Sequence, residues 1–359
     1  MYLKDFVDIK MGQSPDSKFY NYDEIGLPFY QGKADFGRIN PTPKIWCSKP
    51  KKEAKPNDIL ISVRAPVGDL NINNEQSCIG RGLAAITCRP DVDMMYVYYY
   101  LKYLKPQLKH ISTGSTFESI NRTQLENLII DYKPYSEQIK ISNILQVVQR
   151  QIEVREKLLR LYDLLIKSRF VELFGDIDCN TKNWPIITLE NLAELITDGE
   201  HSTPKRCNEG IYLLSARNIL NHSLKLDDVD YIDETEYSRI SKRVIPKAGD
   251  ILLSCSGSVG RCCMVPMKIK FQLVRSVALI RFKSEITPIF AEYMITSDWF
   301  QRQINSLKTA SSQANLFQGR IKKLKGFVPD INLQYEFIKV VNQINKLKSD
   351  VQKSIDETQ

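Results

Sequence analysis

Between Ser136 and Phe174 the chain has no proline or glycine, and apolar residues recur at Ile141, Leu145, Val148, Ile152, Leu159, Tyr162 and Ile166. Arg155 fills the one remaining slot of this alternating four-and-three spacing. The pattern is a coiled-coil seam and predicts one long helix, which Gly175 is placed to end. At ~1.5 Å of rise per residue, roughly 40 residues span about 60 Å. The C-terminal segment repeats the pattern with Phe337, Val341, Ile344, Val351 and Ile355, and with Lys348 in the polar slot. An apolar stripe must be buried somewhere, so the two helices are expected to pack on each other; the alternative is that each covers its own domain.

The rest of the chain repeats itself at a period of roughly 190 residues. Pro56-Asn57-Asp58-Ile59-Leu60-Ile61-Ser62, ending in Val67-Gly68, matches Ala248-Gly249-Asp250-Ile251-Leu252-Leu253-Ser254, ending in Val259-Gly260. In both, a turn dipeptide leads into an apolar strand and then a small-residue loop. Arg81-Gly82-Leu83-Ala84 matches Arg275-Ser276-Val277-Ala278, each running into another apolar strand. A helical stretch from Met95 to Leu104 corresponds to Ile289 to Trp299, and the 112–116 loop to 309–313. Ile120, Leu125 and Leu128 fall on Leu316, Ile321 and Leu324. Pro134 with Glu137-Gln138, and Pro329 with Leu333-Gln334, each open a long helix, and the starts align as Leu3, Phe6 and Ile9 with Leu189, Leu192 and Leu195.

Composition then narrows the partners. A length of 359 residues holds two or three domains, and no apolar run reaches the roughly 18 residues that a membrane span needs. Asp5 interrupts the first residues, so a secretory leader is not expected and the cytoplasm is the default compartment. The net charge of +8 favours a polyanionic partner. None of the eight cysteines forms a CxxC pair, and His110, His201 and His222 lie far from any zinc spacing, so no metal is expected.

Chemistry is sparse. There is no GxxxxGK[ST] phosphate loop, no Asn/Asp-Pro-Pro-Tyr/Phe motif of an amino-methyltransferase, and no nuclease site that stands out. Gly80-Arg81-Gly82-Leu83-Ala84-Ala85 satisfies GxGxxA on paper, but a strand-like run and Pro90 follow where a dinucleotide fold needs a helix. A tight turn near a binding surface is the expected use of these glycines.

In order, these motifs resemble the specificity subunits of type I restriction-modification systems. The resemblance is carried by Leu27-Pro28-Phe29-Tyr30-Gln31-Gly32-Lys33, Asp58-Ile59-Leu60-Ile61-Ser62-Val63-Arg64, Ile79-Gly80-Arg81-Gly82-Leu83-Ala84, Gly114-Ser115-Thr116 and the Pro134 to Gln138 segment. Weaker versions occur in the second half, including Asp250 to Ser254. The resemblance implies an α+β chain of two α/β target-recognition domains, 1–133 and 187–331, joined by long antiparallel coiled-coil helices at 134–186 and 332–359. It implies that each domain reads one half of a split, asymmetric site in double-stranded DNA, and that helix length fixes the spacing between the halves. The implied partners are two methyltransferase subunits, which bring S-adenosylmethionine, and two motor-nuclease subunits, which bring ATP and Mg. No cofactor and no catalytic residue is expected on this chain.

Reading bases takes hydrogen-bonding side chains on loops, with phosphate contacts to fix register. The candidates are Gln31, Lys33, Arg38, Arg64, Arg81, Ser115 and Thr116 in the first half. In the second half they are Arg217, Asn218, Ser256, Arg261, Arg275, Ser312 and Gln313. Two rival classes stay open: a two-module scaffold that binds only protein, and a related fused restriction-methylation enzyme.

Overall fold

The structure is a computed structural model that describes residues 1–112, 118–307 and 315–358. The chain divides into two compact units, Met1–Glu153 and Val154–Gln359.

The first unit contains β1 (Val7–Met11), β2 (Leu27–Tyr30), β3 (Ile59–Ser62), β4 (Leu70–Ile72), β5 (Ser77–Ile79) and β6 (Leu83–Cys88). Four of these form an antiparallel sheet in the order β1-β6-β3-β4, while β2 and β5 pair in parallel. Strand β3 is buried along its whole length, which is why its sequence is a run of Ile and Leu without alternation. The helices α1 (Met94–Tyr103) and α2 (Lys105–Ile111) follow. After a short helix at Arg122–Glu126 comes the long helix α3 (Tyr135–Phe174), which Gly175 ends at φ +78°, its N–H bonded to the carbonyl of Val171 at 2.7 Å.

The second unit repeats the plan with β7 (Ala193–Asp198), β8 (Ile211–Leu214), β9 (Ile251–Ser254), β10 (Cys262–Met264), β11 (Phe271–Leu273) and β12 (Val277–Phe282). The antiparallel sheet has the matching order β7-β12-β9-β10, and β8 pairs with β11 in parallel. Ile9, Ile86, Ile59 and Ile72 lie in one row across the first sheet. Ile196, Ile280, Ile251 and Met264 form the same row in the second. Ile9 therefore corresponds to Ile196 and not to Leu195: a register shift between Ala193 and Leu195 moves the strand by one residue. The helical stretch expected from Ile289 to Trp299 is also broken. It forms α4 (Pro288–Thr296) and α5 (Asp298–Leu307), with Ser297 between them donating its hydroxyl to the carbonyl of Met294 at 2.7 Å. The last helix is α6 (Ile331–Asp356).

The repeat extends to single hydrogen bonds. Asp58 closes the turn into β3 by accepting from the Lys55 N–H at 2.7 Å and the Thr87 hydroxyl at 2.6 Å. Asp250 does the same for β9, from the Lys247 N–H at 2.8 Å and the Arg281 guanidinium at 2.7 Å. At the other end Ser62 donates to the Pro66 carbonyl and accepts from the Asp69 N–H, as Ser254 does with Ser258 and Arg261. Gln138 and Gln334, both fully buried, each accept the N–H that opens a helix, from Asp93 or Thr287 at 2.9 Å.

Within the second unit α6 runs antiparallel to the C-terminal part of α3. Phe337 meets Phe170 at 5.4 Å between ring centroids, Lys348 pairs with Asp163 at 2.5 Å, and Thr358 lies 3.2 Å from the Arg155 guanidinium. Both polar slots of the predicted seams thus have partners. Phe170, Phe174, Phe290, Phe327 and Phe337 form one aromatic cluster where α3, α4 and α6 meet. Among the described residues no helix is long and apolar enough to cross a membrane.

Gln334→Leu keeps the volume but strands the Thr287 N–H and the carbonyls of Glu285 and Pro329 that Gln334 now serves. It is expected to destabilise the second unit by about 3 kcal/mol, read as a lower urea midpoint. A loss below about 0.5 kcal/mol would show that these bonds contribute little.

Candidate nucleic-acid interface

Strands β2, β3 and β5 all end at one rim of the first unit, and the loops that leave them are tied together through the backbone. The Gly80 N–H donates to the Tyr30 carbonyl at 2.8 Å, and the Val63 N–H to the Gly82 carbonyl at 2.9 Å. A Cβ on Gly82 would sit 2.2 Å from the Gln31 carbonyl oxygen, so only glycine allows the two loops to approach this closely. The Asp35 carboxylate then holds the 31–35 loop by accepting from the N–H groups of Gln31 and Gly32 at 2.7 and 3.2 Å. The glycines of the GxGxxA stretch therefore serve a loop crossing, and strand β6 follows them.

These loops frame a cleft of about 760 Å³. Four of the sequence candidates, Gln31, Lys33, Arg64 and Arg81, line it, and all four are exposed. Lys33 lies 3.0 Å from Asp69, which also takes a bond from Lys105 at 2.6 Å. Burial alone would raise the Asp69 carboxyl, but its hydrogen bonds to Lys105 and Lys33 hold it below its ordinary value. Among the described residues no carboxylate pairs with Arg64 or Arg81. Arg38 stands apart from the cleft, in an ion pair with Glu153 at 2.6 Å.

The second unit builds the same rim from β8, β9 and β11. The Val274 N–H donates to the Leu214 carbonyl at 3.0 Å and the Cys255 N–H to the Ser276 carbonyl at 2.8 Å. Ser276 takes the place of Gly82, and its hydroxyl accepts from the Ala216 N–H at 3.0 Å. Arg275 is exposed with no carboxylate partner among the described residues, and its N–H donates to the Glu200 carbonyl at 2.9 Å. Arg261 borders the same loop, half-buried. Arg217 is exposed but paired with Asp230 at 2.9 Å. Asn218 is fully buried: it accepts from the Ser215 N–H and donates to the carbonyls of Lys225 and Asp228, so it braces the loop. The Ser256 hydroxyl is 2.7 Å from Asn315 Oδ1. Ser115, Thr116, Ser312 and Gln313 lie outside the described residues.

Sequence reasoning missed Ser14, which lines the first cleft and takes the Arg81 N–H at 3.3 Å, and Asp35 and Asp69, which hold its loops. It also missed Glu200 and His201 in the corresponding loop of the second unit. Matching Gly12 with Gly199 after the first strand of each half would have pointed to both segments. Exposed guanidinium and amide groups on braced loops are suited to hydrogen-bonding phosphates and base edges. Among the described residues no three His, Cys, Asp or Glu side chains are grouped to hold a metal ion.

Residues 1–160 and 181–357 match the family described as the type I restriction modification DNA specificity domain. A putative type I restriction enzyme MjaX specificity subunit from Methanocaldococcus jannaschii is 45% identical over 153 residues, covering 42% of this chain and 36% of that relative. The type I restriction enzyme MjaVIII specificity subunit of the same organism is 22% identical over 279 residues, covering 71% and 64%. The chain thus spans between about a third and two thirds of the length of these relatives. The crystal structure of a type I restriction-modification S subunit from M. genitalium has the same fold, with a TM-score of 0.56 at 16% identity, over 100% of this chain and 92% of that one.

Gly82→Ala places a methyl group against the Gln31 carbonyl and is expected to push the 31–35 loop off its crossing. Hydrogen exchange at the Gln31 and Gly32 amides should speed up by about tenfold or more. Ser276→Ala removes one hydroxyl, and faster exchange should stay confined to Ala216. Unchanged exchange at Gln31 in Gly82→Ala would mean that this loop does not depend on the crossing.

Proposed function

The chain belongs to the type I restriction modification DNA specificity family, and from that membership we propose that it selects the DNA site for a type I restriction-modification complex and performs neither methyl transfer nor cleavage itself. The observation that carries this reading is the rim built twice, from the same strands with the same backbone ties, presenting arginines that have no acidic partner among the described residues: Arg64 and Arg81 in one unit, Arg275 in the other. An unneutralised guanidinium on a braced loop attracts the phosphate backbone and fits guanine in the major groove. Each unit reads one half of a split site in double-stranded DNA.

Helix α3 supports the docking of partners. Beside the predicted seam it carries a second one at Ile144, Val147, Gln151, Val154, Leu158, Leu161 and Leu165, most of it exposed. A four-and-three seam left open to solvent suits the helices of methyltransferase subunits. Two such subunits bring S-adenosylmethionine; two motor-nuclease subunits bring ATP and Mg; the complex acts in the cytoplasm. The length of α3 sets the number of base pairs between the two half-sites.

The test combines the chain with methyltransferase subunits and S-adenosylmethionine and sequences the methylated positions. Replacing residues 187–331 with the equivalent segment of a relative should change one half of the methylated motif and leave the other as it was. Arg81→Ala should weaken duplex binding by about 1–3 kcal/mol if it reads a base, or reduce the salt slope by about one if it holds a phosphate. Failure to bind duplex DNA at low salt, or robust methyl transfer by the chain alone, would overturn the reading.

A further inference from the structure

The second unit contains a cavity of about 410 Å³ that shares no lining residue with the rim. One wall is the turn between the short strands Ile219–Leu220 and Ser223–Leu224, another follows β10, and the rest comes from α4 and α6. At the turn His222 adopts φ +65°, a conformation that residues other than glycine seldom take. Two bonds fix it there: the His222 N–H donates to the Cys262 carbonyl at 3.0 Å, and Asn221 Oδ1 accepts from the Cys262 N–H at 3.1 Å.

The imidazole is held on both sides. It stacks on Tyr293 at 4.3 Å between centroids, and its Nδ1 lies 3.2 Å from Oε2 of the buried Glu292. The other oxygen of Glu292 accepts from the Met264 N–H at 2.7 Å. Among the described residues nothing bonds the other ring nitrogen, Nε2. The Tyr293 hydroxyl is bonded to Asn345 of α6, and burial pushes that phenol well up, so it stays protonated. Around these groups the lining is Leu224, Leu226, Ile269, Ile289 and Val341.

None of this is required by the shared fold. The buried glutamines place Asp93 opposite Thr287, so Glu292 corresponds to Tyr98 in the first unit. There is no carboxylate at that position to orient a histidine. The volume lies in the range of small-molecule sites, which are mostly apolar with a few placed polar groups.

We propose that this cavity binds a flat heteroaromatic molecule, of indole or nucleobase size, that hydrogen-bonds to Nε2 of His222. What the site offers is one ring nitrogen, the Asn342 amide and apolar walls.

The experiment labels the methionine methyl groups of the full chain with carbon-13 and titrates it separately with indole and with adenine. Met264 lines the cavity and Met11 lies in the other unit, on β1. A saturable shift of the Met264 methyl by either probe, with Met11 unmoved, is the expected result. His222→Phe keeps the stacked ring but removes Nε2, and should weaken binding by about two- to tenfold. Ile289→Trp fills the cavity and should abolish binding; if its methionine spectrum shows unfolding, Val341→Trp fills it from α6. Absence of a saturable shift with either probe at millimolar concentration would overturn the proposal. Equal affinity in His222→Phe, or binding that survives both filled cavities, would do the same.

Discussion

Each unit depends on a wholly apolar central strand that must start and stop without leaving a polar group unpaired in the interior. Strands β3 and β9 have no solvent-facing side, so the turns at their ends carry all of that satisfaction. An aspartate closes the entry and a serine closes the exit, and each makes two bonds that nothing else nearby replaces. On the proposed reading the serine matters for function, because the loop it pins is the one that carries Arg64 or Ser256 to the rim. Rigid support of this kind lowers the entropy lost when a loop binds. The motif that announces the repeat is therefore the pair of brackets around a buried strand, and the exposed residues of the rim lie just outside those brackets.

The two buried glutamines apply the same rule at the start of each long helix. Each satisfies the N–H that opens a neighbouring helix and returns its own amide to a backbone carbonyl. Helix α3 is thereby tied to the core of the first unit by Gln138, while Phe170 and Phe174 place its far end in the aromatic cluster of the second. One face of the helix is used in this packing. The second apolar seam is left over, and on the proposed reading its exposure is tolerated because a partner covers it.

Much of this was legible in the sequence, for identifiable reasons. The long helices were visible because a seam is periodic, and the paired strands because a turn dipeptide, an apolar run and a small-residue loop recur in order. The second seam was not separated from the first, because Ile144, Val147, Val154 and Leu161 are apolar too and only burial tells the faces apart. The slip at Ala193 was hidden because Leu195 and Ile196 are both apolar, so a one-residue shift leaves the pattern unchanged. Asn218 looked like a reader because it is polar and follows a strand; its side chain turns inward to brace the loop. Arg38 looked free because its partner Glu153 is remote in sequence.

What differs between the units lies outside the brackets. Asp69 sits between two lysines where the second unit has Arg261, and Gly82 is bare where Ser276 offers a hydroxyl. Gln31, exposed at the end of β2, is matched by Ser215, whose groups are turned to Asn218. Hydrogen-bond donors and acceptors thus change from one rim to the other while the Asp, Ser and Gln that hold the frame do not. A frame that must satisfy the same buried backbone groups tolerates little change, whereas a loop residue facing solvent can be replaced without leaving anything unpaired. Two copies of one scaffold can therefore present two different surfaces, which is what the proposed reading of an asymmetric site requires.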